Sequence, residues 1–366
     1  MQIALTQKLS KAIKINPPSA SEDEDPLFCW TANWTKAWGS GRTENMLVLI
    51  NNATRFTVAI YQVKRKNLKS ALRKIQTAIS DTLLSMKLNS EIVEEYIRRA
   101  GDLKFVQNHS RKAASLITKA CRKCALQTEY MYNGIEKISG DTVSASVNYE
   151  PAHFSDKSSE TFYPYEVLFN TLSKLTGKPI YNYQAFELKV TLDLKVYKAV
   201  RKIIVPADFK FSQLNRVLQS VFNWENDHLY NFTVYVNNKR TPAVRLVPTE
   251  EDLKFDDIAV LMEGHVLSEF LPQYKKIRYT YDMGDNWEHE IRLVRVIDGY
   301  DKESPRLLKA VGQTPPEDVG GVIGFLDFRE IMLDPENPKY AETKEWAGDW
   351  APELSEWQRK PKVIHN

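Results

Sequence analysis

The sequence predicts two α+β domains joined by a partly ordered linker, the second a mostly antiparallel sheet with packed helices. Three observations carry that prediction. Strict apolar alternation, clearest in Phe186, Leu188, Val190, Leu192 and Leu194, marks strands with one buried face. Apolar residues at helical spacing lie between such strands, as in Leu214, Val217, Leu218, Val221 and Phe222. A length of 366 residues exceeds what one ordinary core organises. The boundaries this suggests are a basic domain over 1–128, a linker with one helix over 129–184, a second domain over 185–358 and a tail over 359–366.

In the first half, Ile3 and Leu5 indicate a short opening strand, and Asn16 to Pro26 a polar loop. Phe28, Trp30 and Trp34 read as core aromatics. Met46 to Ile50 and Phe56 to Tyr61 form a hairpin across Asn51-Asn52-Ala53-Thr54, and their unbroken apolar character predicts a sheet covered on both sides. Leu68, Leu72, Ile75, Ile79 and Leu83 fall at helical spacing. A second helix opens near Asn89 or Ser90 and stops at Gly101, Leu103 to Val106 suits a strand, and a third helix runs from a Ser110 cap toward Gln127. In the linker, rich in Ser, Thr, Asn and Tyr, one helix is predicted from Tyr165 to Leu175 with a stop at Gly177.

After Phe186 to Leu194, a strand over Arg201 to Val205 ends at Pro206, and Ser212 is placed as the cap of the next helix. Leu229 to Val236 returns as a strand, turned by Asn237-Asn238, and a short helix ends near Leu271. The organising stretch is the hairpin that follows. Ile277, Tyr279, Tyr281 and Met283 alternate with polar residues, as do Trp287, His289, Ile291 and Leu293, and Gly284-Asp285-Asn286 supplies the tip. Arg278, Thr280, Asp282, Glu288, Glu290 and Arg292 form the solvated face. Val319 to Gly324 is predicted as a loop feeding a helix over Phe325 to Leu333, with a further helix from Lys339 to Ala347.

The blocks Phe222-Asn-Trp-Glu-Asn-Asp-His-Leu229, Tyr281-Asp-Met-Gly-Asp-Asn-Trp-Glu-His289 and Pro315-Pro-Glu-Asp-Val-Gly-Gly321 resemble, in order and spacing, the plasmid pRiA4b ORF-3-like family. That resemblance spans about Phe186 to Trp357 and implies an α+β domain common on plasmids and mobile elements, with no established activity. It also implies cysteines flanking the Pro-Pro-Glu-Asp loop; Leu307, Thr314 and Val319 stand there instead, so a thiolate-metal role at those positions is absent from this chain. The aromatic cluster from Leu27 to Trp38, Val48-Leu-Ile-Asn-Asn-Ala-Thr54, and Val63 to Leu72 resemble a small uncharacterised domain of bacterial and phage proteins.

Hydrophobic content of 43% and charged content of 27% are those of a globular protein, and no apolar run approaches the ~18 residues of a membrane span. Gln7, Lys8 and Lys11 interrupt the N-terminal apolar residues, so a signal peptide is not indicated, and three cysteines are no disulfide framework. A cytoplasmic protein without membrane contact is expected. The net charge of +3 hides an asymmetry: up to Thr128 there are 21 Lys and Arg against 10 Asp and Glu, which leaves 29 against 37. The asymmetry points to attraction between the halves or to a polyanion facing the front one.

Three groups of residues carry candidate chemistry. His228, His289, Asp282 and Asp285, with Glu288, Glu290, Glu317 and Asp318 around them, combine imidazole and carboxylate, the donors of metal binding and acid–base work. The simpler reading packs His289 on the aromatic face, leaves Asp285 and Asn286 to shape the turn and solvates the glutamates. Cys121-Arg-Lys-Cys124, with only Cys29 and His109 to complete a metal set, falls late in its helix and reads as buried small hydrophobes. Lys64, Arg65, Lys66, Lys69, Arg73 and Lys74, and again Arg111, Lys112, Lys119, Arg122 and Lys123, are clusters that neutralise phosphates or simply solvate a helix. Gly320, Gly321 and Gly324 lack a P-loop's lysine and hydroxyl and read as turn geometry, and Trp346, Trp350 and Trp357 pin the last helices.

No cofactor is indicated. The expected function is that of a non-enzymatic, mobile-element-associated binding protein, its basic domain contacting DNA or RNA and its acidic domain docking a protein partner. The alternative is a metal-dependent hydrolase or nuclease centred on His228, Asp282, Asp285 and His289.

Overall fold

The computed structural model describes residues 1–20, 24–39, 42–133, 138–153, 159–237, 239–348, 350 and 362–363. They form two compact units, Met1–Tyr181 and Asn182–Asn366.

The first unit is built from β1 (Gln2–Leu5), α1 (Gln7–Ile13), β2 (Cys29–Gly39), β3 (Arg42–Asn51), β4 (Thr57–Ile60), α2 (Leu68–Ala71), α3 (Ile75–Ser85), α4 (Ser90–Ala100), β5 (Lys104–Gln107), α5 (Arg111–Asn133), α6 (Gly140–Tyr149), β6 (Ala152–His153), β7 (Thr161–Phe162) and α7 (Pro164–Thr176). Its main sheet has the order β4-β3-β2-β1-β5, with β1 parallel to both neighbours and the rest antiparallel. Period-two alternation in β3 sends Leu47 and Leu49 to one face, against α1, α2, α3, α4 and α7, and Met46, Val48 and Ile50 to the other, against α5 and α6. Both faces are covered, as the unbroken apolar run predicts.

Three local expectations shift. Residues 29–39, read only as core aromatics, are the long strand β2, which pairs with β3 along its whole length. The helix expected over 68–83 is broken by a 3-10 turn at Leu72–Lys74. The first unit also runs on past 128, because α5 continues to Asn133 and α6 and α7 pack on the sheet. The reason is legible in α6: Asn148 accepts from the Thr57 N–H at 2.8 Å and donates to the Thr57 carbonyl at 2.7 Å, while the Ser144 hydroxyl accepts from the Ala59 N–H at 2.9 Å. These polar side chains satisfy the outer edge of β4. Their polarity made the segment resemble a linker.

The second unit contains β8 (Tyr183–Asp193), β9 (Lys198–Pro206), α8 (Phe211–Phe222), β10 (Tyr230–Tyr235), β11 (Pro242–Val247), β12 (Ala259–Leu261), β13 (Lys276–Tyr281), β14 (Trp287–Tyr300), β15 (Arg306–Val311), α9 (Gly321–Leu333), α10 (Tyr340–Ala347) and β16 (Lys362–Val363). One sheet runs β12-β11-β10-β13-β14-β8-β9-β15-β16, antiparallel except between β11 and β12. The apolar stripe of α8 is fully sequestered, each such side chain contributing about 1.5–3 kcal/mol. The opposite face of the hairpin carries ion pairs, Arg278 with Glu288 and Glu290 with Lys276 and Arg292.

Ser212 is not the cap of α8, which opens one residue earlier at Phe211; the Gln213 side chain instead accepts from the Lys210 N–H at 2.9 Å. Helix α9 starts at Gly321, inside the segment read as a loop, and Met283 leaves the apolar face to stand 48% exposed at the hairpin tip. Trp350 packs edge-on to Phe325 and Phe328 and donates to the Thr314 carbonyl at 2.9 Å. Trp346 touches Phe328 but is half exposed. Trp357 lies outside the described residues, as does the 359–366 tail apart from β16.

Candidate functional site

Three loops meet at the end of the second unit's sheet: 223–229 after α8, the 282–286 tip of the β13–β14 hairpin, and 315–320 before α9. Their backbones are tightly coiled. Asn223, Asn226, Asp282, Asn286 and Asp318 all take positive φ, between 54° and 66°, a conformation Asn and Asp tolerate better than other side chains. The loops are laced together. The Asp282 N–H donates to the Leu229 carbonyl at 2.9 Å, Trp224 Nε1 to the Pro315 carbonyl at 3.2 Å, and the Glu225 N–H to Glu317 Oε2 at 3.0 Å. Gly320 N–H donates to Asp285 Oδ2 at 3.1 Å, and a Cβ on Gly321, at φ +66°, would lie 2.4 Å from the Asp285 carbonyl oxygen.

At the centre stands His228. Its Nε2 lies 2.9 Å from Asp318 Oδ1, 3.8 Å from Asp282 Oδ2 and 3.9 Å from Glu317 Oε1. One donor atom each from His228, Asp282 and Asp318 fall within 4.8 Å of one another. Asp282 is aimed by its other oxygen, which accepts from the Gly284 and Asp285 N–H groups at 2.8 and 3.3 Å. Glu317 is aimed by the Tyr281 hydroxyl, which donates to Oε1 and itself accepts from the Asp227 N–H at 3.2 Å. Burial and the adjacent carboxylate push the Tyr281 phenol well above its usual range, so it acts as a donor. Glu317 also lines a neighbouring groove of about 430 Å³ with Arg201, Glu225, Thr314 and Trp350. Arg201 floors it, donating to the Val221, Val311 and Gly312 carbonyls and to the Thr314 hydroxyl at 2.7–3.1 Å.

Two of the four central candidates do not join this site as the sequence alternative required. His289 is fully buried, its ring centroid 4.6 Å from Phe222 and 5.2 Å from both Trp224 and Tyr279, and its Nδ1 is 3.1 Å from the Trp287 carbonyl oxygen. Desolvation pulls its pKa down to about 3, which leaves a neutral core imidazole. Asp285 is occupied in holding the start of α9. Glu288 and Glu290 belong to the ion-paired outer face. The contributions of Tyr281 and Trp224 escaped sequence reasoning, because strand alternation accounts for the Tyr281 ring and aromatic packing for that of Trp224, and neither points to the polar end.

The basic clusters occupy different places. Lys64, Arg65, Lys66, Lys69, Arg73 and Lys74 are exposed and form no ion pair among the described residues, and Lys8 Nζ and the Arg65 guanidinium stand 4.6 and 5.8 Å over the Trp34 ring. Arg111, Lys112, Lys119, Arg122 and Lys123 ride on α5, which packs on the opposite sheet face from α2 and α3. The sheet therefore separates the two clusters, and they do not add up to one surface. Cys121 and Cys124 are buried, and desolvation pushes the Cys121 thiol up to about 12 and the Cys124 thiol further; Cys29 is buried near Gln2. None is a thiolate at neutral pH, in keeping with the small-hydrophobe reading.

A family model described as plasmid pRiA4b ORF-3-like protein matches residues 184–359, and one described as a domain of unknown function (DUF6933) matches residues 2–167. The uncharacterized protein y4hQ of Sinorhizobium fredii is 39% identical over 163 residues, which are 44% of this chain and 79% of that protein. A crystal structure of a protein of unknown function from Methanosarcina mazei Go1 matches 47% of this chain and 95% of its own, at 28% identity and a TM-score of 0.42. Among the described residues, no helix is long and apolar enough to cross a membrane.

Proposed function

We propose that this chain, which belongs through residues 184–359 to the plasmid pRiA4b ORF-3-like family, holds a divalent cation between His228, Asp282 and Asp318 and uses it for hydrolysis of a substrate seated in the adjoining groove. The supporting observation is the convergence of one imidazole and two carboxylates within 4.8 Å on three mutually braced loops. That donor set suits a first-row divalent ion and, with three protein ligands, leaves positions for water. Glu317, whose Oε1 lies 3.9 Å from His228 Nε2 and accepts from the Tyr281 hydroxyl, would serve as the general base of such a hydrolysis. The test is calorimetric titration of the full chain with Mn²⁺ and Zn²⁺. One-to-one binding lost in both His228→Ala and Asp318→Asn is the expected result; binding that both variants retain would defeat the reading.

A second reading has its own observation in the first unit. Lys64, Arg65, Lys66, Lys69, Arg73 and Lys74 are exposed and form no ion pair among the described residues, and Lys8 and Arg65 stand over the Trp34 ring, a mixture of charge and aromatic surface that single-stranded nucleic acid favours. Only this side of the sheet is involved. Affinity for single-stranded DNA or RNA that falls steeply with salt, and that Lys64→Glu with Lys66→Glu abolishes, is expected. Binding that persists in that variant or ignores salt counts against it.

A further inference from the structure

The groove of about 430 Å³ beside the cation site has a lining that restricts what can sit in it. It runs between the end of α8, the 223–225 loop, β15, residues 312–317 and the end of α10. Val221, Phe222, Leu307 and Ala310 make an apolar floor. Trp350 adds an aromatic wall, held by donation from its Nε1 to the Thr314 carbonyl at 2.9 Å. Among the described residues, the charged side chains that line the groove are Arg201, Glu225 and Glu317, and they are not equivalent. Arg201 is only 6% exposed, lies 4.7 Å over the Phe222 ring and directs its donors at the Val200, Val221, Val311 and Gly312 carbonyls and the Thr314 hydroxyl. That guanidinium holds the floor together. Glu225 is exposed and forms no ion pair among the described residues, and Glu317 joins the groove to His228.

An anion finds little here to hold it. Pro315 and Pro316 have no backbone N–H, and the Glu225 N–H already donates to Glu317 Oε2 at 3.0 Å. Two carboxylates on the wall repel a phosphodiester. A wholly apolar molecule covers the floor but cuts both carboxylates off from water. The complementary ligand has an alkyl stem and a cationic, hydrogen-bond-donating head, the form of a lysine or arginine side chain, and an aromatic wall favours such a head as well. The volume is in the ~300–1,000 Å³ range of small-molecule sites. We propose that this groove takes an alkyl ammonium or alkyl guanidinium group, its stem on Val221, Phe222 and Leu307 and its charged head at Glu225, so that the substrate class of the adjoining site is cationic and not a nucleic acid. What becomes of the ligand rests on the hydrolase reading; its binding does not.

The experiment is isothermal titration of the full chain, in EDTA, with the capped tripeptide acetyl-alanyl-arginyl-alanine amide, with its glutamate and norleucine counterparts, and with agmatine. The arginine peptide is expected to bind one-to-one and about tenfold or more tighter than the other two peptides, as suits a charge-assisted contact joined to burial of the stem. Agmatine binding at least as well as that peptide identifies a free amine as the ligand, and a peptide that binds tighter than agmatine identifies a basic side chain; either result supports the proposal. Glu225→Gln, at an exposed position, is expected to weaken the arginine peptide by about fivefold or more. Ser220→Trp, which fills the groove from the exposed end of α8, should abolish binding. No binding of either cationic probe, a glutamate or norleucine peptide that binds as tightly, a short thymidine oligonucleotide that competes on equal terms, or arginine-peptide binding that either variant leaves unchanged would each overturn the proposal. Titration of the same preparation with Mn²⁺, free of EDTA, reads the cation site separately. Peptide binding without Mn²⁺ binding removes the hydrolase reading and leaves the groove standing, and Mn²⁺ binding without peptide binding does the reverse.

Discussion

His228 and His289 lie around the same aromatic cluster and have opposite surroundings. The His228 ring stands edge-on to Tyr281 at 5.8 Å, in a loop bent by the positive φ of Asn226, and its Nε2 faces carboxylates and solvent. His289 sits on the inward face of β14, opposite Tyr279 in the register, and is enclosed by Phe222 and Trp224. Residue type is identical; the backbone decides. A strand position with an apolar neighbour on each side yields a neutral packing group, whereas a loop position between Asp and Glu side chains leaves the imidazole open to solvent and to carboxylates.

Acid separates the two histidines most strongly. The folded-state pKa of His289 is about 3 against a usual 6.5, so between those values the unfolded chain binds the extra proton and stability rises with pH. Falling from pH 7 to 4.5 should therefore cost about 2.5 kcal/mol through this residue alone. Urea unfolding of His289→Leu is expected to show a pH dependence shallower by that amount; a slope equal to that of the wild type would mean that His289 is not the neutral core group described. A smaller effect sharpens the other side. Tyr281→Phe removes the hydroxyl between Asp227 and Glu317 and should destabilise the protein by about 1–2 kcal/mol, with weaker cation binding than wild type in the same preparation. The smallest belongs to the outer face, where Glu288→Gln breaks an exposed pair with Arg278 and should change the urea midpoint by less than about 0.5 kcal/mol in stability.

Much of this was legible in residue order. Alternation through Tyr279, Tyr281, Trp287 and His289 already assigns His289 to the apolar face, and Gly284-Asp285-Asn286 already marks the turn. The helix ends at Gly101 and Gly177, the opening near Asn89 or Ser90 and the Ser110 cap are local signals, and all four hold, with Asn89 as the cap of α4. What local signals cannot carry is which partner a polar side chain satisfies. Ser144 and Asn148 look like linker composition until β4 is seen to need their hydrogen bonds. Likewise, the two lysine clusters share a net charge in sequence, and only the pairing of helices with alternate faces of β3 reveals a sheet between them. His228 is the intermediate case: its block was identifiable, but its partners come from residues 54 and 90 positions further on.

Gly321 has a consequence for anyone altering this protein. The missing Cβ is the clearance that lets α9 seat against Asp285, so the hairpin tip and the loop bearing Glu317 and Asp318 move as a single casting. Loop grafts or insertions that treat either segment as a separate module will shift the other with it. A variant library that randomises one side must leave position 321 fixed, or it will sample misalignment in place of chemistry.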